Sequence, residues 1–378
     1  MKSKITAVAW GFIAVAWTSA TAAYAQPDNK LPVLKPKEIR HINPNWSGTS
    51  GVAFCPDGTR VVVAANGGYG PNGSFAVWEV ETGKRMLWVN ADPVDNAQAA
   101  AWLNSIAYSP DGKLIVTGGK RAWAKREERG RAFVALFDSQ TGERIRILEK
   151  PSPSAVGSVA FSPDSKRIVI AGGNSHTADG SPPVRIQFLT VWDVDTGKEL
   201  LDLKGLKFSV SGAKFSGNGK RIVASSVSGP ASAVRLWDAE TGKELLALKD
   251  LGDDDIRSFA INRDGTRIVT GGEADGRVVT VRLWDADTGK EFRTFGKVPL
   301  RRVAFHPNGK WIVGVTGGGH GVVAGTVKIW DIATGREVAS FVARRDTPIG
   351  MDISADGKRI AVCFNHGQTS VWSLETEP

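Results

Sequence analysis

A sevenfold internal repeat constrains this chain more than any other feature of its sequence. The tripeptide Val52-Ala53-Phe54 returns as Ile106-Ala107-Tyr108, Val159-Ala160-Phe161, Ala213-Lys214-Phe215, Phe259-Ala260-Ile261, Val303-Ala304-Phe305 and Met351-Asp352-Ile353. Each copy runs into a turn such as Pro56-Asp57-Gly58, Gly217-Asn218-Gly219 or Pro307-Asn308-Gly309. Asp-Gly and Asn-Gly supply the positive φ that a tight hairpin requires. A β-branched run follows, as in Arg60-Val61-Val62-Val63 and Arg167-Ile168-Val169-Ile170. A loop then leads to an aromatic–acid pair: Trp78-Glu79, Phe137-Asp138, Trp192-Asp193, Trp237-Asp238, Trp284-Asp285 or Trp330-Asp331. The seventh copy has Trp372-Ser373, and only the first six pairs are followed by Thr-Gly and a short apolar strand.

Strand, hairpin, strand, loop, strand, turn, strand describes a four-stranded antiparallel sheet. One such sheet cannot bury both of its faces, but seven arranged radially can, each packing on two neighbours. The expected fold class is all-β, a seven-bladed β-propeller. On these motifs, residues 37–378 resemble the WD-repeat β-propeller family. The family often carries Gly-His before the inner strand and an Asp six residues before the Trp. Here that Asp position holds Asn72, Ile186, Ala231, Val278, Ala324 or His366, and no His precedes an inner strand. The resemblance therefore implies blades held more by packing than by the family's buried hydrogen-bond network.

The two ends of the repeat complement each other. The seventh copy stops at Glu375-Thr376, where the outer strand of the others would begin. Lys37-Glu38-Ile39-Arg40-His41-Ile42 matches the outer-strand sequence Lys243-Glu244-Leu245-Leu246-Ala247-Leu248. An N-terminal strand is thus expected to complete the last blade and to cover the edges an open array would expose.

The segment before the repeat reads as an address. Lys2 and Lys4 precede an uncharged run from Ile5 to Trp17, and Ala23-Tyr24-Ala25 has the small-x-small pattern of a cleavage site. Residues 1–25 are expected to be a signal peptide, residues 26–36 a linker, and the protein to be exported to the periplasm or beyond. The apolar run is too short to span a bilayer, so no transmembrane segment is expected. Losing the two lysines lowers the net charge from +9 to +7. A nucleic-acid partner is not expected in that compartment; a protein or an anionic polymer is.

Extra residues fall on one face. The Pro-Asp-Gly and Thr-Gly turns share a face and are uniform, whereas the loops between second and third strands vary. The stretches Tyr108 to Phe137 and Phe161 to Trp192 are the longest, and a long lead-in loop is expected at Ala91–Asn104. The second-copy insertion gathers Lys120, Arg121, Trp123, Lys125, Arg126, Arg129 and Arg131 around Glu127 and Glu128. Arginine forks grip carboxylate, sulfate or phosphate, and a Trp face stacks on rings or cations. These residues, with Trp102 of the lead-in loop, form the candidate partner-binding site; a solvated charged flap would look similar. Trp46 and Tyr69 are further aromatic candidates, each equally suited to pinning its own loop.

Catalytic signatures are weak. Gly319-His320-Gly321-Val322-Val323-Ala324 resembles a phosphate-binding loop but leads into a strand, not a helix. His176, His320 and His366 lack metal-ligand spacing, and Asp253-Asp254-Asp255 lacks the alternation of a calcium loop. Cys55 and Cys363 are expected as two buried free thiols, with a disulfide across the closure as the alternative. The reading is a monomeric, non-catalytic interaction or scaffold module without cofactor or metal. Its alternative is a propeller-type hydrolase or lyase, signalled by ionisable side chains converging at the variable-face mouth of the channel.

Overall fold

The structure is a computed structural model that describes residues 34–65, 73–91, 101–121, 132–148, 155–174, 186–206, 210–226, 233–248, 251, 256–274, 277–278, 280–317 and 324–376. These residues form seven antiparallel sheets. The first comprises Thr49–Phe54, Arg60–Ala65, Ser74–Glu79 and Arg85–Asn90, in chain order from the centre outward. The next five repeat that order, and blade five carries an additional two-residue strand, Arg277–Val278. Inner strands of consecutive blades touch, and the seventh, Pro348–Ile353, returns to the first, Thr49–Phe54. The chain is a closed seven-bladed propeller.

The last blade closes as its sequence requires. Its order is Leu34–Ile42, Thr369–Thr376, Arg359–Phe364 and Pro348–Ile353, so the N-terminal strand is outermost. Glu38 lies opposite Trp372 and Arg40 opposite Val371, with Ile39 bulged out between them. In blade four, Glu244 lies opposite Trp237 and Leu246 opposite Leu236, with the same bulge. The alignment of Lys37-Glu38-Ile39 with Lys243-Glu244-Leu245 therefore holds residue by residue. The strand begins at Leu34 rather than Lys37, because Leu34 is itself buried between blades six and seven; the last residues assigned to the linker belong to the sheet.

There is no single central core. The buried side chains fall into seven clusters, and each spans two neighbouring blades. Every aromatic of the aromatic–acid pair joins the cluster shared with the preceding blade: Phe137 packs with Phe75 at 5.1 Å, and Trp237 packs with Val169 and Leu189. The indole N–H groups keep part of the hydrogen bonding that the missing Asp and His put in doubt. Trp284 Nε1 donates to Thr270 Oγ1 at 2.9 Å, and Trp192 Nε1 to Thr190 Oγ1 at 2.8 Å. Among the described residues the buried Nε1 atoms of Trp78 and Trp372 have no partner, so these two indoles are held by packing.

One regularity was not foreseen from sequence. Every inner strand carries a β-bulge at the same place, for example between Thr49 and Gly51, Leu103 and Ser105, and Leu300 and Arg302. An extra residue there bends the strand and increases its local twist.

Two results follow from this packing. Trp237→Ala should lower unfolding free energy by about 3–5 kcal/mol in chemical denaturation, because a fully buried indole leaves a cavity between blades. A loss under ~1 kcal/mol would contradict the interblade core. Deleting residues 34–42 should markedly lower the melting temperature, since it removes buried Leu34 and Ile42 and bares the Thr369–Thr376 edge; an unchanged melt would contradict closure.

Candidate functional site

The turn face is occupied by its own hydrogen bonds. Three residues after each acid stands a Thr, and the acid accepts from it. Asp193 Oδ1 takes the Thr196 N–H at 2.7 Å and its hydroxyl at 2.6 Å; Asp285 does the same with Thr288 at 2.9 Å for both. Asp138, Asp238 and Asp331 repeat this with Thr141, Thr241 and Thr334. The following Gly, such as Gly197 at φ 67°, closes the turn in the left-handed region. The inner hairpin turns behave alike, and blade three holds Ser165 at φ 63° where others have Gly. Side chains then join consecutive blades. Arg359 Nη1 donates to Gly58 O at 2.7 Å, and Arg221 Nη1 to Gly265 O at 2.9 Å.

The opposite face holds those candidate binding residues that are described, Trp102, Lys120 and Arg121. Trp102 and Lys120 do not lie in loops as expected: both are on the inner hairpin of blade two, whose strands Ala101–Tyr108 and Leu114–Arg121 reach further than those of blade one. The insertions first lengthen strands before leaving them. Trp102 and Lys120 are cross-strand partners, and Lys120 Nζ sits 4.4 Å from the indole centroid. A cation on an aromatic face at a partly exposed site is stabilising by ~0.5–1 kcal/mol. Arg121 ends the second strand. Trp123, Lys125, Arg126, Arg129 and Arg131 lie outside the described residues, as do Tyr69, His176, His320 and the Asp253–Asp255 cluster. Trp46 pins its own segment: it is buried and meets Trp88 edge-on at 5.8 Å. His366 Nδ1 lies 2.8 Å from Asp346 Oδ1. No group of three possible metal ligands occurs among the described residues. Both cysteines are free and buried, and burial pushes the Cys363 thiol up to about 11.

The channel along the axis gathers side chains that depart from the repeat. It encloses about 450 Å³ and is lined by the seven inner strands, with Lys214, Arg302 and Asp352 among their side chains. An inner strand is a sheet edge, and its free N–H groups need partners. Serines of the preceding blade supply some: the Val159 N–H donates to Ser105 Oγ at 3.1 Å, and the Val303 N–H to Ser258 Oγ at 2.8 Å. Asp352 does the same for blade one, its Oδ2 accepting the Phe54 N–H at 2.7 Å. Lys214 is surrounded by protein yet exposed along the channel, because the surface it shows is the channel's own interior. A larger cavity of about 860 Å³ lies beside Arg40 and is lined by charges of both signs.

Burial raises Asp352 to about 6, against the opposing pull of the Phe54 N–H. Its folded value exceeds the unfolded one, so the charged form costs stability at neutral pH and that cost fades as the pH falls. The turn aspartates work the other way. Hydrogen bonds from Thr288 hold Asp285 down at about 2, so its contribution is complete above the unfolded carboxylate value and disappears in strong acid. Asp352→Asn keeps the acceptor and removes the titration. The variant should be more stable than wild type near neutral pH, with the gap closing through about pH 6 and gone by about pH 4. His306, held low by burial, titrates alike in both proteins and cancels. A gap independent of pH, measured by urea denaturation across that range, would contradict the burial of Asp352.

Comparison with known proteins agrees with the repeat. The family description "WD domain, G-beta repeat" matches residues 96–121 and 289–331. The eukaryotic translation initiation factor 3 subunit I of Drosophila willistoni is 30% identical over 102 residues, which is 27% of this chain and 26% of that protein. The same subunit of Drosophila pseudoobscura pseudoobscura is 29% identical over 102 residues, with the same shares. The match thus spans about 26% of the length of these curated relatives. Seven radial four-stranded blades, the Trp-Asp pairs with their Thr-Gly turns, and the matched repeats together support a WD-repeat β-propeller family for this chain.

Proposed function

We propose that this protein is a non-catalytic interaction module, exported after cleavage near Ala25, which binds a protein or an anionic envelope polymer through its variable-loop face. The inequality of the two faces carries the reading. On one, Asp–Thr and hairpin turns direct their polar groups into their own chain and into neighbouring blades. On the other, the lengthened hairpin of blade two presents Lys120 stacked on Trp102, at the base of an insertion rich in Arg and Lys. Irregular segments on a rigid scaffold are where binding usually resides.

WD-repeat propellers are generally protein-interaction scaffolds, which supports a binding role over a catalytic one. The relatives are named as subunits of a larger factor, in keeping with assembly as the shared theme. The likeness covers too little of them to bring translation to this chain. A hydrolase or lyase would need acid and base at the variable-face mouth. The ionisable groups that do converge, Lys214, Arg302 and Asp352, lie deeper along the inner strands.

The test compares the mature protein with a variant in which Arg121, Lys125, Arg126 and Arg129 are replaced by Ala. Each is immobilised and challenged with envelope extract, and the affinity of the recovered partner is measured at two salt concentrations. The wild-type interaction should weaken with salt, since exposed charges are screened beyond ~8 Å at physiological ionic strength. The variant should bind more weakly while melting like wild type. Equal affinities would make the loop a solvated flap.

A further inference from the structure

The channel wall departs from its own repeat at three positions. The inner-strand residue before the terminal aromatic or Ile is Ala53, Ala107, Ala160, Ala260 and Ala304 in five blades, but Lys214 and Asp352 in the other two. Two residues earlier stand Gly51, Ser105, Ser158, Gly212, Ser258 and Gly350, but Arg302 in blade six. Small residues suit these places: a Cβ on Gly51 would stand 3.2 Å from the Ile106 side chain, and the serines satisfy inner-strand N–H groups.

Asp352 has such a structural task, through the Phe54 N–H. Lys214 and Arg302 have none. Among the described residues Lys214 makes no hydrogen bond or ion pair, and Arg302 bonds only its neighbour, Arg301 O, at 2.9 Å. Lys214 and Asp352 attract each other across the channel, but two enclosed cations against a single carboxylate leave the site electropositive, and that uncompensated charge opposes folding.

We propose that the channel is a binding site for a small oxyanion, a phosphate, sulfate or carboxylate group held between Lys214 and Arg302. The cations supply the charge and the hydrogen-bond donors: the Lys214 ammonium as a point charge, the Arg302 guanidinium as a planar fork. The enclosed volume of about 450 Å³ falls in the range of small-ligand sites, and the geometry suits a compact molecule rather than a polymer segment. This site is separate from the variable-face loops, and it is open to test whether or not those loops bind a partner.

The experiment is calorimetric titration of the mature protein in low-salt buffer with inorganic phosphate, sulfate and citrate. The variants are Lys214→Ala and Arg302→Ser, each the residue that other blades hold at that position. At least one probe should bind saturably at a single site. Affinity should fall by about tenfold or more in both variants and stay unchanged in the loop variant lacking Arg121, Lys125, Arg126 and Arg129. Melting curves establish that each variant is folded; should Lys214→Ala fail, Lys214→Met removes the charge and keeps the stem. Absence of saturable binding by every probe up to about 10 mM would overturn the proposal. So would an affinity unchanged in either channel variant, or one lost with the loop charges.

Discussion

Everything in this molecule depends on the ring being closed, and the ring is closed by pairing between strands from opposite ends of the chain. Leu34–Ile42 pairs with Thr369–Thr376 over eight residue pairs. Without that strand, the seventh blade would lack its outer edge and Leu34 would leave the cluster between blades six and seven. Because each core cluster is shared by two blades, weakening one blade weakens the next. The stability of a propeller of this kind is thus a property of its interfaces.

Closure also creates the channel and sets its chemistry. Seven inner strands turn their edges toward one axis, and their N–H groups must be satisfied across blade boundaries. Ser105, Ser158 and Ser258 do this with neutral hydroxyls, reaching Val159, Ala213 and Val303. Asp352 does it with a carboxylate. The same geometry that holds the blades in register therefore brings charges from residues far apart in sequence, Lys214, Arg302 and Asp352, onto one wall.

The parts legible in the sequence are those repeated within each blade. The inner-strand tripeptide, the turn and the aromatic–acid pair each recur in register, so blade number, strand order and the N-terminal closing strand could all be read directly. Two features escaped. The bulge in each inner strand follows from how a short edge strand bends around the axis, and no residue type marks it. The channel cluster was visible only as departures from the repeat: Lys214 and Asp352 sit inside the aligned tripeptides, but their convergence requires the ring. The length of the lead-in segment points to a loop at Trp102, and only its pairing with Lys120 places it on a strand.

The most direct test of closure is hydrogen–deuterium exchange of the protein, followed residue by residue. In a closed ring, the amides of Thr369–Thr376 bonded to Leu34–Ile42 should be protected as strongly as those of the equivalent third strand Ile186–Asp193, and should open only with global unfolding. Exchange of the Thr369–Thr376 and Leu34–Ile42 amides at rates typical of an unpaired edge, while the remaining blades stay protected, would contradict it.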